Sequence, residues 1–381
     1  MNLIKLLSVT AILVASPALN AQQPLPGLPP SLSSVFRMGL EDFQSIETIE
    51  DGLGPAFNGV GCGSCHNIPA TGGGGNITVL RAAQRTGGSY GEPSGGSLIH
   101  LFATDSRCQP KVPSNANVLA RRISTPLFGA GLVEAIPDET LRNLEEQQRR
   151  TIDFIRGRAA VIRDPAANTT RIGRFGWKAQ LATLLAFAGD AYVNEMGITN
   201  DIFPNEVGAG LTPEQLAVCD TIPGIEDHRD PATGHRGIDL FANFMRFLAP
   251  IAPMAPTPQT RRGEAVFSSI GCATCHVPVL MTGPNAVPAL DRKPVHAFSD
   301  FLLHNIGTGD GIEQGAAKGD EIRTAPLWGL RYRRMLLHDG HALGIEDAIG
   351  EHAAEALPSR LRYRALSPSD KSALLAFLGS L

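Results

Sequence analysis

A mainly α fold of two similar domains with long loops is predicted by three observations on this 381-residue chain. The string Cys-x-x-Cys-His occurs twice, as Cys62-Gly-Ser-Cys65-His66 and Cys272-Ala-Thr-Cys275-His276. A proline-rich break, Pro250-Ile-Ala-Pro253-Met-Ala-Pro256-Thr-Pro258, separates the two copies; proline removes backbone donors and pushes its predecessor to extended geometry, so this segment reads as a linker. Each half also carries an amphipathic helix candidate before its motif and another at its end. The expected domains are 22–250 and 259–381.

The elements follow in order. Leu32 to Phe43 and Thr260 to Ser268 have the apolar spacing of opening helices. Residues 237–248 and 367–378 are the closing helices, the second with Ser367 as N-cap and Pro368 in its first turn. Between them the halves share a string, ISTPLFG at 123–129 and RTAPLWG at 323–329. The first half is longer by two pieces. The glycine-rich stretch from Thr71 to Gly96 reads as a loop with a short hairpin, and it lacks the Gly-Lys-Ser/Thr ending of a phosphate loop. Asp138 to Arg158 reads as a charged helix, with Glu145 and Glu146 one turn before Arg149 and Arg150.

Composition narrows the function. With 33 Lys+Arg against 37 Asp+Glu there is no basic excess to neutralise a phosphate backbone, so no nucleic-acid partner is expected. The first 21 residues carry one lysine, a short apolar run and small residues near Ala21, the layout of a cleaved signal peptide. Export to the periplasm follows, and no later stretch is apolar enough to span a bilayer.

Cys-x-x-Cys-His is the attachment pattern of c-type haem. Two thiols three residues apart reach the two vinyl groups of one porphyrin, and the adjoining histidine supplies an axial nitrogen. Two covalently bound haems are therefore expected on Cys62, Cys65, His66 and on Cys272, Cys275, His276. Helix, haem motif, loops and closing helix make each half cytochrome c-like, and the 41 Gly and 28 Pro become the loops around two porphyrins. The remaining cysteines, Cys108 and Cys219, read as a disulfide in an exported chain, with a reactive thiol pair as the alternative.

The strings GLGPAFNGVGCGSCH, RISTPLFGAGLVEAIPD, GRFGWKA, NEMGIT, LLHNIG, RTAPLWGLR, LLHDG and ALGIEDAIGEH together resemble the bacterial dihaem cytochrome c peroxidase superfamily. The chain is most similar to its dihaem oxidoreductase/peroxidase branch, also labelled thiol oxidoreductases. The resemblance implies one low-spin electron-transfer haem with two protein ligands and one haem where peroxide binds. His352 falls at the second-ligand position of the C-terminal haem, paired with His276, and His338 and His341 are its rivals. The equivalent N-terminal region lies near Ala191, beside Tyr192, with no histidine, so the haem of His66 is the open one. Glu195 matches the distal acid/base of the peroxidase pocket, and Met196 beside it is a less favoured ligand. Trp177 matches the tryptophan between the two haems.

Departures from the pattern are also visible. The pocket glutamine of those relatives aligns with Phe187, which leaves fewer donors to polarise the O–O bond, and their distal histidine has no counterpart before Arg121. The expected activity is peroxide reduction with electrons from a small donor protein such as a cytochrome or cupredoxin. A dihaem electron-transfer cytochrome without its own substrate, or a dihaem oxygenase or protein-modifying enzyme, are the alternatives. The resemblance also allows a calcium ion between the domains.

Overall fold

An opening helix packs on a closing helix twice in this chain: Pro30–Phe43 on Gly237–Phe247, and Pro258–Ser269 on Pro368–Leu378. The structure, a computed structural model, describes residues 22–150, 154–222 and 224–381. The expected signal peptide, residues 1–21, lies outside the described residues. Local chemistry sets the helix starts. Proline occupies the first turn at Pro30, Pro258 and Pro368, and the hydroxyls of Thr257 and Ser367 accept the backbone N–H of Thr260 and Asp370. Each crossing is close because a glycine sits in it. A Cβ on Gly39 would run into the Leu240 carbonyl, and one on Gly263 into that of Ala373. Phenylalanines flank both crossings, Phe43 on Phe244 with centroids 4.7 Å apart and Phe267 on Phe377 at 5.5 Å.

The described residues form ten α-helices and twelve short strands. Mainly α fits the two helix pairs but understates the rest. Thr78–Thr86 pairs antiparallel with Ser89–Gly91, Leu98–Ile99 and Val118–Ile123, so the glycine-rich stretch expected as a loop with a hairpin supplies the centre of a four-stranded sheet. The hairpin itself turns at Gly87 and Gly88, both at positive φ as a tight two-residue turn requires. The charged helix is also shorter than expected: it runs Asp138–Gln148, not to Arg158. The chain leaves the helix where the Gln148 side chain turns inward, donating to the Thr274 carbonyl and Asp300 and accepting from the Gly157 N–H.

One apolar cluster is built on Phe36, Phe43, Phe241 and Phe244 and extends into the second half through Leu280, Val295, Phe301 and Trp328. A second gathers Val266, Phe267, Phe298, Tyr363, Leu374 and Phe377. No helix among the described residues is long and apolar enough to cross a membrane.

Cys108 and Cys219 form a disulfide across 111 residues of sequence. Closing a loop of that size restricts the unfolded chain, and removing such a bridge costs about 2–5 kcal/mol. The double variant Cys108→Ser/Cys219→Ser is expected to lower the denaturant midpoint accordingly, and reductant is expected to lower the wild-type midpoint but not that of the variant.

Candidate functional site

The two Cys-x-x-Cys-His motifs wall two separate cavities, and one side chain lines both. The first cavity is bounded by Cys62, Cys65 and His66 together with Glu195, Tyr192, Met196 and Phe187. The second is bounded by Cys272, Cys275, His276, His338 and His352. Trp177 belongs to both walls. It is buried, and its indole N–H donates to the Ile123 carbonyl at 2.8 Å, which holds the ring where the cavities approach each other.

Each motif occupies a single 3₁₀ turn, Cys62–Ser64 and Cys272–Thr274, so the cysteines and the following histidine are presented from one short loop. The histidines are oriented alike. His66 Nδ1 donates to the Gly73 carbonyl and His276 Nδ1 to that of Phe298, both at 2.9 Å. His352 Nδ1 donates to the Ala348 carbonyl at 2.7 Å. A hydrogen bond at Nδ1 leaves the Nε2 lone pair for a metal and fixes the ring. Burial keeps the rings neutral, the form a metal needs: it depresses His66 and His352, and with repulsion from His352 it takes His276 down to about 4.

His276 and His352 have ring centroids 6.5 Å apart. A metal bonded to both nitrogens at roughly 2 Å would put them roughly 6 Å apart once the ring radii are added. Of the rivals to His352, His338 lines the same cavity but stands beside Trp177 with centroids 6.3 Å apart, and His341 is exposed and bonded to Asp339. His66 is the only histidine on the wall of the first cavity among the described residues.

The residues present fit haem in two further ways. Burial pushes the motif thiols above the ordinary cysteine range, Cys272 to about 12, which opposes a thiolate redox pair. Arg122 in the first cavity and Arg333 and Arg360 in the second each keep one buried N–H without an acceptor among the described residues. The carboxylates of a porphyrin are acceptors of the charge such donors require. Arg333 is the clearest instance, since burial depresses it to about 10.

Glu195 sits in a π-turn, Tyr192–Met196, that follows the helix Leu184–Ala191. Such one-turn widenings recur at functional sites because they re-aim a side chain. Its Oε2 accepts from Asn58 Nδ2 at 2.7 Å. Burial raises its pKa, while the Asn58 bond and the charge of Arg81 act in the opposite direction. Tyr192 is buried in the apolar cluster with its ring edge-on to Phe241 at 5.0 Å, and Met196 is buried in the same cluster.

Sequence reasoning did not find the polar side chains that come from elsewhere in the chain. Arg81 and Asn58 reach the first cavity. At the second, His304 is buried between Asp300, 3.0 Å from Nε2, and Glu355, 2.9 Å from Nδ1. Burial works against its charge, but Asp300 and the surrounding acceptors hold it well above the ordinary histidine range. Asn58 and His304 lie inside the strings GLGPAFNGVGCGSCH and LLHNIG, which give them no role by themselves, and Arg81 lies in none of the strings.

Residues 103–381 match the family described as "Di-haem oxidoreductase, putative peroxidase". No curated protein matches. Among solved structures, the diheme peroxidase BthA of Burkholderia thailandensis is 14% identical, with 96% of this chain and 88% of that chain covered and a TM-score of 0.43. Hydrazine synthase of Kuenenia stuttgartiensis is 14% identical over 100% of both chains at 0.41. A MauG-like protein associated with microbial copper homeostasis is 18% identical over 71% of this chain and 91% of that chain at 0.31. At these scores the structural likenesses carry no functional inference.

Proposed function

The chain belongs to the di-haem oxidoreductase family, and on that premise we propose that it is a periplasmic dihaem c-type enzyme that reduces hydrogen peroxide with electrons from an external one-electron donor. One observation carries the reading: two cavities, each walled by one Cys-x-x-Cys-His motif, with Trp177 in the wall of both. In this reading residues 22–250 and 259–381 are the two cytochrome c-like domains. Cys62/Cys65 and Cys272/Cys275 hold the two haems, His66 and His276 ligate them, and His352 is the second ligand of the C-terminal one. When bound, the haems supply one-electron couples and, at the N-terminal site, an iron position for peroxide.

The chain's own residues do the rest. The lone imidazole of His66 leaves the first cavity a place for substrate. Glu195, buried and held by Asn58, takes a proton from one peroxide oxygen and returns it to the other. Trp177 spans the gap between the cavities and shortens the electron path. Overall, H₂O₂ takes up two electrons and two protons and leaves as two waters, the electrons coming from a small protein such as a cytochrome or cupredoxin.

Steady-state peroxide turnover by the mature dihaem protein with a reduced donor tests this. Turnover well above that of free haem is expected. Background turnover together with two six-coordinate haems would mark the protein as an electron-transfer cytochrome instead.

A further inference from the structure

We propose that Arg81 is a catalytic residue of the first cavity, donating a hydrogen bond from its guanidinium to the peroxide oxygen on which negative charge develops. The inference rests on the peroxide-reducing reading and supplies a group that reading lacks. At the position where relatives carry a pocket glutamine this chain has Phe187, which lines the cavity and stacks on Phe175 with centroids 5.6 Å apart. A phenyl ring offers no donor to polarise an O–O bond.

Arg81 reaches the same cavity from a different element. It lies in the strand Thr78–Thr86, in register with Leu98 on one side and Ala120 on the other, so its backbone is held in the middle of the sheet. Its Nη1 donates to Ser97 Oγ at 2.9 Å, and Ser97 is itself buried. Its Nε is buried and has no acceptor among the described residues. Among the described residues no carboxylate lies within ion-pair distance of it, yet its charge is felt by Glu195 and by Asp190, both of which line this cavity. Arg122, the other arginine on this wall, also keeps a buried N–H without an acceptor among the described residues, but its charge is already paired: Nε donates to Asp310 and Nη1 to Gln314, each at 2.8 Å. Arg81 is thus a positioned cation with a free buried donor, in the wall of the same cavity as the carboxylate assigned to proton transfer.

The two residues divide the step. Glu195 moves one proton of H₂O₂ to the departing oxygen, the O–O bond breaks, and that oxygen leaves as water. The balance is completed by two electrons, delivered singly by two equivalents of the one-electron donor, and two protons from solvent, which give the second water. Arg81 stabilises the charge that builds as the proton moves; a preorganised donor in a water-poor site requires no reorganisation at that moment.

The test uses Arg81→Gln and Arg81→Lys in the dihaem protein, read by peroxide kcat/KM, by optical titration of the ferric protein with fluoride, and by haem content. For the glutamine variant we expect kcat/KM to fall about 100-fold, in the range for loss of one such donor. Fluoride affinity is expected to fall by about tenfold, with haem content unchanged and lysine partly restoring both losses. Unchanged fluoride affinity with a shifted resting spectrum or lost haem would mean that Arg81 anchors a cofactor carboxylate, and the assignment would be wrong. Wild-type turnover matched by both variants overturns the assignment alone, whereas absence of wild-type turnover overturns the peroxide reading on which it rests.

Discussion

Replacing His352 by alanine is expected to turn the C-terminal haem from low-spin to high-spin. A second imidazole keeps the iron six-coordinate; without it one axial position opens. The geometry favours His352 over its rivals. It is the residue at which the helix Ile345–Glu351 ends, and the turn to extended backbone there brings the ring to the cavity wall, with Nδ1 occupied by the Ala348 carbonyl and the centroid 6.5 Å from that of His276. Low-temperature EPR of the oxidised protein should show about one additional high-spin haem per chain in His352→Ala, and exogenous imidazole should reverse it. If the spectrum is unchanged and His338→Ala produces the conversion instead, His338 is the ligand and the pairing is wrong.

Glu195→Gln is expected to lower peroxide kcat/KM by about 10²–10⁴-fold, the usual contribution of a positioned acid/base group. Glutamine keeps the size and the bond to Asn58 but cannot carry the proton, so haem content and spectra should stay as in wild type. The pH profile offers an independent check. Burial raises the Glu195 pKa in the folded protein. As a base it must be deprotonated, so activity should fall with decreasing pH through that raised value, on a limb lying above the ordinary glutamate range, and the limb should vanish in the glutamine variant. A variant that retains the limb would assign it to another group, with Asp190, raised by burial to about 6 in the same cavity, the first to examine.

Much of the scaffold was legible in the chain. The four terminal helices were placed within a few residues because proline, Ser/Thr caps and apolar spacing act over one or two turns. The sheet was not, because glycines on both sides of Thr78–Thr86 mask a nine-residue strand whose partners lie up to 45 residues away, as in Thr78 with Ile123. The overlong helix had a similar origin: charge spacing continues past Gln148, but a buried hydrogen-bond network with Thr274 and Asp300 diverts the chain.

The sequence by itself determined where the two Cys-x-x-Cys-His motifs lie and hence the proposed attachment of two haems, since the motif is five consecutive residues that can be read without the rest of the fold. It also named the candidates His352, Glu195 and Trp177 through their neighbouring strings. Only the tertiary structure decided which of them share a cavity. It brought His352 to His276 across 76 residues, set Trp177 in two walls at once, and bonded Glu195 to Asn58 across 137 residues. It also joined Cys108 to Cys219 and placed Arg81 in the cavity where Phe187 offers no donor. The physical reason is the same in each case. A covalent motif acts through local chain geometry, whereas burial, charge and hydrogen-bond partners belong to residues that only folding makes neighbours.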